Sequence, residues 1–318
     1  MHAKNFALVI GSLWAATASA QAPTWSPERQ VTLVVPYNPG GGTDATARAV
    51  AGRLSLLWKQ PVVVENVAGA DGLIGTRRVM KAAPDGYTLL FQVPSILLMK
   101  YQSSLKGIDP VASLTPVTAV ATSPTALVMT GTLAIKSLPD LIAYCKSKPC
   151  SAGSGENSSK VRAQKFAADY KLRDLSVVNY KGTAPIVSDL VSGNLTMAFT
   201  GITAAMPLHK TGRLRILVTN GDQRAQALPD VPTSKEAGWP DSYSVTWFGV
   251  FAPKDTPEPI AKAIADAIRE SGKDKHVQEA LAVAGAEAAF TSPEAFSEMI
   301  LKDDAHLGEL VRRFPLSE

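Results

Sequence analysis

The stretch Gly40-Gly41-Gly42-Thr43-Asp44 has the residue types and spacing most able to hold a guest. It follows the apolar run Val31-Thr32-Leu33-Val34-Val35. It precedes residues 45–54, where Ala47, Val50, Ala51 and Leu54 fall on one helical face. Three glycines therefore stand between a strand and a helix start. Glycine lets the backbone approach a ligand closely. The first amides of a helix lack internal partners and carry partial positive charge. Together these suit a carboxylate, a phosphate or another anion. Thr43 or Asp44 is the expected N-cap. A glycine-rich turn with no ligand is the other reading the stretch allows. No Gly-Lys-Ser/Thr closes it and no G-x-G-x-x-G spacing is present, so a nucleotide is the less favoured guest.

Comparable junctions recur later in the chain. Ser154 and Gly155, Gly182 and Thr183, and Thr200 and Gly201 are small or polar residues that each stand before a helical stretch. Residues 67–72, Val-Ala-Gly-Ala-Asp-Gly, form a further glycine-bearing loop after the run Pro61-Val62-Val63-Val64-Glu65. Enzyme chemistry finds less support. Outside the first twenty residues the histidines are His209, His276 and His306, far apart in sequence, and no H-E-x-x-H or G-x-S-x-G pattern occurs. No catalytic residue, metal or cofactor is expected.

The elements that would position these loops alternate in type. Strands are expected at 31–35, 61–65 and 88–92, with helices at 45–54 and 72–80 between them. This βαβαβ order predicts a parallel sheet, and ligands of such sheets sit beyond the carboxyl ends of the strands. Further strands are expected at 117–121, 125–129, 175–180, 195–200, 214–219 and 244–251. Residues 151–159 read as a small polar loop leading into a helix at 160–170. Helices are also expected at 184–191, 204–210 and 258–270, the last opened by Thr256 as N-cap with Pro257 at the first helical position, and from Ser292-Pro293 towards Arg312. Ser137-Leu138-Pro139-Asp140 has capping-box spacing before a helix marked by Leu138, Leu141, Ile142 and Cys145. Two alternating units could enclose a cleft between them.

The first twenty residues read as a cleaved export signal. Lys4 supplies the positive start, 6–16 the apolar core, and Ala18-Ser19-Ala20 the cleavage site. The chain has 32 basic and 28 acidic residues, and loss of Lys4 lowers the net charge from +4 to +3. So small and scattered an excess argues against nucleic acid. The cysteines are Cys145 and Cys150. Export to an oxidising compartment predicts a disulfide between them, with two free thiols as the alternative.

Several stretches together resemble the Bug family of periplasmic receptors of tripartite tricarboxylate transporters. They are Pro36-Tyr37 with Gly40-Gly41 and Asp44, Pro84-Asp85-Gly86-Tyr87-Thr88-Leu89, Tyr180-Lys181-Gly182, Leu228-Pro229-Asp230-Val231-Pro232-Thr233, Glu236-Ala237-Gly238 and Trp247-Phe248-Gly249 with Ala252-Pro253. The resemblance covers nearly the whole chain after the leader. It implies an α/β, two-lobed periplasmic-binding-protein fold, type II-like, that closes on a small carboxylated solute. The first lobe would comprise 21–125 and 246–318, and the second 126–245. The implied partners are the solute, a dicarboxylate or an aromatic acid, and the membrane subunits of the transporter. A monomer in the periplasm is expected.

By position, the resemblance puts Tyr37 over the ligand and Gly41, Gly42 and Thr43 against one carboxylate. Ser154, Gly155, Tyr180, Gly182, Thr183, Thr200 and Gly201 would contribute from the second lobe. Asp44 stands among these contacts, with helix capping as its expected task. Two departures from the family pattern bear on the ligand. Lys160 stands where a His is common. Thr200-Gly201 stands where an Asp often follows Phe199, which argues against an ammonium on the ligand. A sensory receptor presenting the same ligand to a membrane kinase and, less favoured, a secreted hydrolase are the alternatives.

Overall fold

A computed structural model describes residues 25–102, 108–221, 223–239, 244–283 and 285–316. The expected export signal lies outside them. The chain runs β1 (Val31–Val35), α1 (Gly42–Trp58), β2 (Val62–Asn66), α2 (Leu73–Met80), β3 (Thr88–Gln92) and β4 (Leu114–Thr130). It continues α3 (Leu138–Ser147), β5 (Cys150–Ser154), α4 (Asn157–Tyr170), β6 (Leu175–Asn179), α5 (Thr183–Ser192), β7 (Met197–Gly201), α6 (Ile202–Lys210) and β8 (Leu214–Thr219). It ends β9 (Val245–Pro253), α7 (Glu258–Ser271), α8 (Lys275–Val283), β10 (Glu287–Ala288) and α9 (Pro293–Arg313).

The fold is α/β and two-lobed. In the first sheet β1 lies between β2 and β3 and runs parallel to both, as the βαβαβ order requires. β9 then pairs antiparallel with β3 and β4. In the second sheet β5 runs parallel to β6 and β7. β4 belongs to both sheets. Its residues Leu114 to Pro124 pair with β9, and Thr125 to Thr130 pair with β7 and β8. The sequence reads 117–121 and 125–129 as separate strands, but the chain stays extended through Ser123-Pro124. Pro124 faces Val245 in that register. The two sheets are thus joined through continuous hydrogen-bonded strand.

Each sheet carries apolar cover on both faces. Val50 and Leu54 of α1 pack with Ile264 and Ile268 of α7 against Val31, Leu33 and Phe91. On the other face Phe296, Ile300 and Leu307 of α9 pack with Val34, Leu90 and Trp247. Leu138, Leu141 and Cys145 of α3 and Phe166 of α4 cover one face of the second sheet. Ile186 and Leu190 of α5 cover the other, with Ile202 of α6. This is the burial expected of a sheet between helical layers.

Three sequence expectations are corrected. The polar loop at 151–159 contains a strand, β5, which lies between β6 and β7. Cys-Ser-Ala-Gly-Ser has little β propensity, and tertiary pairing overrides it. Gly153 is needed there, because a Cβ at that position would stand 2.6 Å from Leu195 Cδ2. α8 and β10 are additional elements. Thr256 does not cap α7 from the side; Pro257 holds the N-cap position and the Thr256 hydroxyl donates to the Pro253 carbonyl at 2.7 Å. By contrast Ser137 and Ser292 cap α3 and α9, accepting N–H groups of Asp140 and Ala295.

Cys145 and Cys150 are bonded and buried. The bridge closes a short loop from α3 into β5. In the loop-entropy view so small a loop is worth about 2 kcal/mol. Replacing both cysteines with alanine should lower stability by roughly that amount, read as a shift of the urea midpoint under non-reducing conditions.

Candidate functional site

The carboxyl ends of the parallel strands from both sheets face each other across a cleft. An inner cavity of about 80 Å³ is lined by Gly41, Gly42, Thr43 and Asp44 from one side and by Gly182, Thr183, Ala184 and Thr200 from the other. An outer cavity of about 480 Å³ is lined by Asp71, Gly72, Ser154, Asn157, Asn179 and Tyr180. Tyr37, Asn38, Gly155, Glu156, Lys181 and Gly182 line both. The two cavities therefore lie side by side in the cleft and share these walls.

Two helices point their N-termini into the inner cavity. α1 has Gly41 as its N-cap and α5 has Gly182, and neither end receives a side-chain cap. The residue types explain this, since glycine has no side chain to turn back on the first-turn amides. Gly182 also sits at φ 99°, a left-handed backbone that a residue with a Cβ adopts only under strain. Uncapped amides from opposing sides, with two helix dipoles behind them, make a place for an anion. A Cβ built on Gly41 meets no atom within 4 Å, so the position opens into space.

Neither Thr43 nor Asp44 is the N-cap of α1. Asp44 lies inside the first turn and braces the glycine loop from below. Its Oδ2 accepts from the Gly40 N–H and from Arg48 Nε, both at 3.0 Å, and its Oδ1 from Asn66 Nδ2 at 2.9 Å. Burial opposes the charge, but these donors outweigh it and hold the Asp44 carboxyl below its ordinary pKa. Such a group stabilises the fold above the unfolded carboxylate pKa, and the contribution is lost as pH falls through the lowered value. Asp44→Asn should therefore weaken the protein by about 2 kcal/mol at neutral pH. The gap from wild type should close in acid, when urea midpoints are compared across pH.

The remaining candidates divide by what their polar atoms already do. Tyr37 lines both cavities, and its hydroxyl is hydrogen-bonded to Gln92 Oε1 at 2.7 Å and Ser95 Oγ at 2.6 Å. Burial, with Glu156 and Asp71 nearby, raises its pKa well above the ordinary tyrosine value. Ser154 is buried, its hydroxyl donating to the Glu156 carbonyl at 2.9 Å, so it shapes the turn. The Tyr180 hydroxyl donates to Asp189 at 2.7 Å. Gly155 packs against the α5 start, where a Cβ would lie 2.9 Å from the Gly182 carbonyl carbon. Thr43, Thr183 and Thr200 stand at the inner cavity, but Gly201 lies off its lining as the N-cap of α6. Trp247 also lies away from both cavities, buried, with its Nε1 donating to Asp303 at 2.8 Å.

Sequence reasoning missed Asn38, Asp71 and Glu156. Asn38 Nδ2 donates to the Lys181 carbonyl at 3.2 Å, and Asp71 Oδ2 accepts the Asn157 N–H at 3.0 Å, so two hydrogen bonds cross the cleft. Glu156 is the N-cap of α4 and forms a capping box with Ser159. The signal for Asp71 was present, because it lies in the second glycine-bearing loop. Its backbone is left-handed, as is that of Ala70, at φ 55° and 46°. Non-glycine residues hold such angles only where surrounding structure imposes them, and functional clefts are a common place.

Comparison with known proteins bears on this arrangement. Residues 46–316 match the sequence profile of the tripartite tricarboxylate transporter family receptor, TctC. The chain is 35% identical over 302 residues to Protein BugT of Bordetella pertussis, covering 92% of each chain. A structure described as a periplasmic transporter superposes with a TM-score of 0.86 at 30% identity, over 92% of this chain and 99% of that one. An R. palustris protein solved with adipate superposes with a TM-score of 0.83 at 30% identity, over 90% of this chain and 97% of that one.

Proposed function

The chain belongs to the tripartite tricarboxylate transporter receptor family, and from that premise we propose that it is a periplasmic receptor whose cleft closes on a small carboxylate for uptake through the membrane subunits of such a transporter. The observation that carries the reading is the pair of uncapped helix N-termini, α1 and α5, meeting at one cavity. Neutral donors there can satisfy a carboxylate without a buried counter-charge. That keeps the empty cleft free of a large desolvation penalty and permits release. The relative solved with adipate supports an acid as the ligand class.

The lobes are drawn as 21–125 with 246–318, and 126–245. The exchange of β4's partners between Pro124 and Thr125 supports this division. A strand that passes from one sheet to the other gives a crossing about which the lobes can open. Asn38 and Asp71 then act as the contacts that closure makes.

A ligand that binds only the folded state stabilises it by about 2.7 kcal/mol at a hundred times its dissociation constant. A thermal-shift screen of small mono- and dicarboxylates against the mature chain should therefore find acids that raise the melting temperature in proportion to the logarithm of their concentration. No shift with any acid, at millimolar levels, would overturn the reading.

A further inference from the structure

We infer that the acid held here carries a positively charged nitrogen at the end away from its bound carboxylate, and that Asp71 selects it. The inference rests on the reading above, in which the carboxylate occupies the inner cavity. The remainder of the ligand must then extend into the outer cavity, whose volume of about 480 Å³ lies within the usual range for small-molecule sites.

The outer cavity is walled by carboxyl-bearing residues from both sides of the cleft. Asp71 comes from the loop after β2, and Glu156 from the turn after β5. Glu156 is engaged in its own helix cap, with the Ser158 hydroxyl donating to it at 2.6 Å. Asp71 accepts one neutral N–H, from Asn157, and forms no ion pair with any described residue. Lys181 lines both cavities but is exposed, and it lies on the same side as Glu156. Closure therefore brings two carboxyl groups into one cavity; the buried Arg162 guanidinium lies near Glu156, and no described cation pairs with Asp71.

Charge complementarity decides between ligand classes. A second carboxylate in the outer cavity would meet the Glu156 charge and would hold the Asp71 carboxyl protonated, with water partly excluded and charges poorly screened. A cationic nitrogen would meet both favourably. Burial, reinforced by Glu156, pushes the Asp71 carboxyl up to about 8, against the one backbone hydrogen bond that lowers it. That upward shift expresses the same missing positive charge, which a ligand ammonium would supply. The left-handed backbone at Ala70 and Asp71 holds the carboxyl at this wall. The loss of an acidic residue after Phe199, which argued against an amine from sequence, is thus offset from the opposite lobe.

The test is calorimetric titration of the mature chain with ω-amino acids of three to six carbons and with the matching α,ω-dicarboxylates. The tightest amino acid should bind at least tenfold more strongly than the diacid of the same length. In Asp71→Asn that advantage should vanish, and in Asp71→Glu it should largely return. Equal or tighter binding of the diacid by wild type overturns the inference and leaves the carboxylate cleft standing. So does an unchanged preference in a folded Asp71→Asn protein. Binding of neither series by wild type would remove the carboxylate cleft and this inference with it.

Discussion

Gly41→Val should reduce affinity for the bound acid at least about a hundredfold while the protein remains folded. The geometry separates the two effects. Gly41 has φ −84° and ψ 170°, an extended conformation that valine adopts readily. A Cβ there meets no atom within 4 Å, so the new side chain strains nothing in the empty structure. Its branches instead fill the cavity at the start of α1. A carboxylate kept from two charge-assisted hydrogen bonds loses about 3 kcal/mol or more, which is roughly a hundredfold in dissociation constant. Stability should fall by only about 1 kcal/mol, because valine is a poorer N-cap residue than glycine. Calorimetry and urea unfolding on one preparation would read both. Wild-type affinity in this variant would make the glycine loop a structural turn and place the ligand elsewhere.

Phe166→Ala should have the opposite profile, with a large loss of stability and a small change in affinity. Phe166 is fully buried on α4. Its ring centroid lies 5.1 Å from those of Tyr170 and Trp239 and 5.6 Å from that of Phe199. The ring fills the space between α4 and the second sheet, and removing it leaves a cavity that rigid strands cannot close. Burial and cavity terms together cost about 3–5 kcal/mol for such a change. The first turn of α4 meets the cleft at Asn157 and Ser159; Phe166 lies about two turns further along, lines neither cavity, and reaches the inner one only through Phe199. Affinity measured where the variant is still folded should therefore stay within a fewfold of wild type. A shift in the urea midpoint equivalent to less than about 1 kcal/mol would show that the site repacks.

Much of the frame was legible because its causes are local. The β-branched run at 31–35, the apolar face of α1 and the serine caps of α3 and α9 follow from side-chain shape and hydrogen bonding over a few residues. Glycines before a helix announce uncapped amides in the same way. β5 was not legible, because Cys-Ser-Ala-Gly-Ser becomes a strand through neighbours supplied by β6 and β7, from 175–179 and 197–201.

Which loops could offer amides to an anion, the alternating order of strands and helices, and the resemblance that implied two lobes were all readable along the chain. Each of these depends on residues adjacent in the chain. Folding settled which polar atoms are already engaged. It turned the Tyr37 hydroxyl to Gln92 and Ser95, locked Ser154 into a turn, and made Asp44 a brace. It also brought Asp71 to Asn157, 86 positions along the chain. A side chain's partners depend on distances between segments remote in sequence, and those exist only once the two sheets have closed on each other.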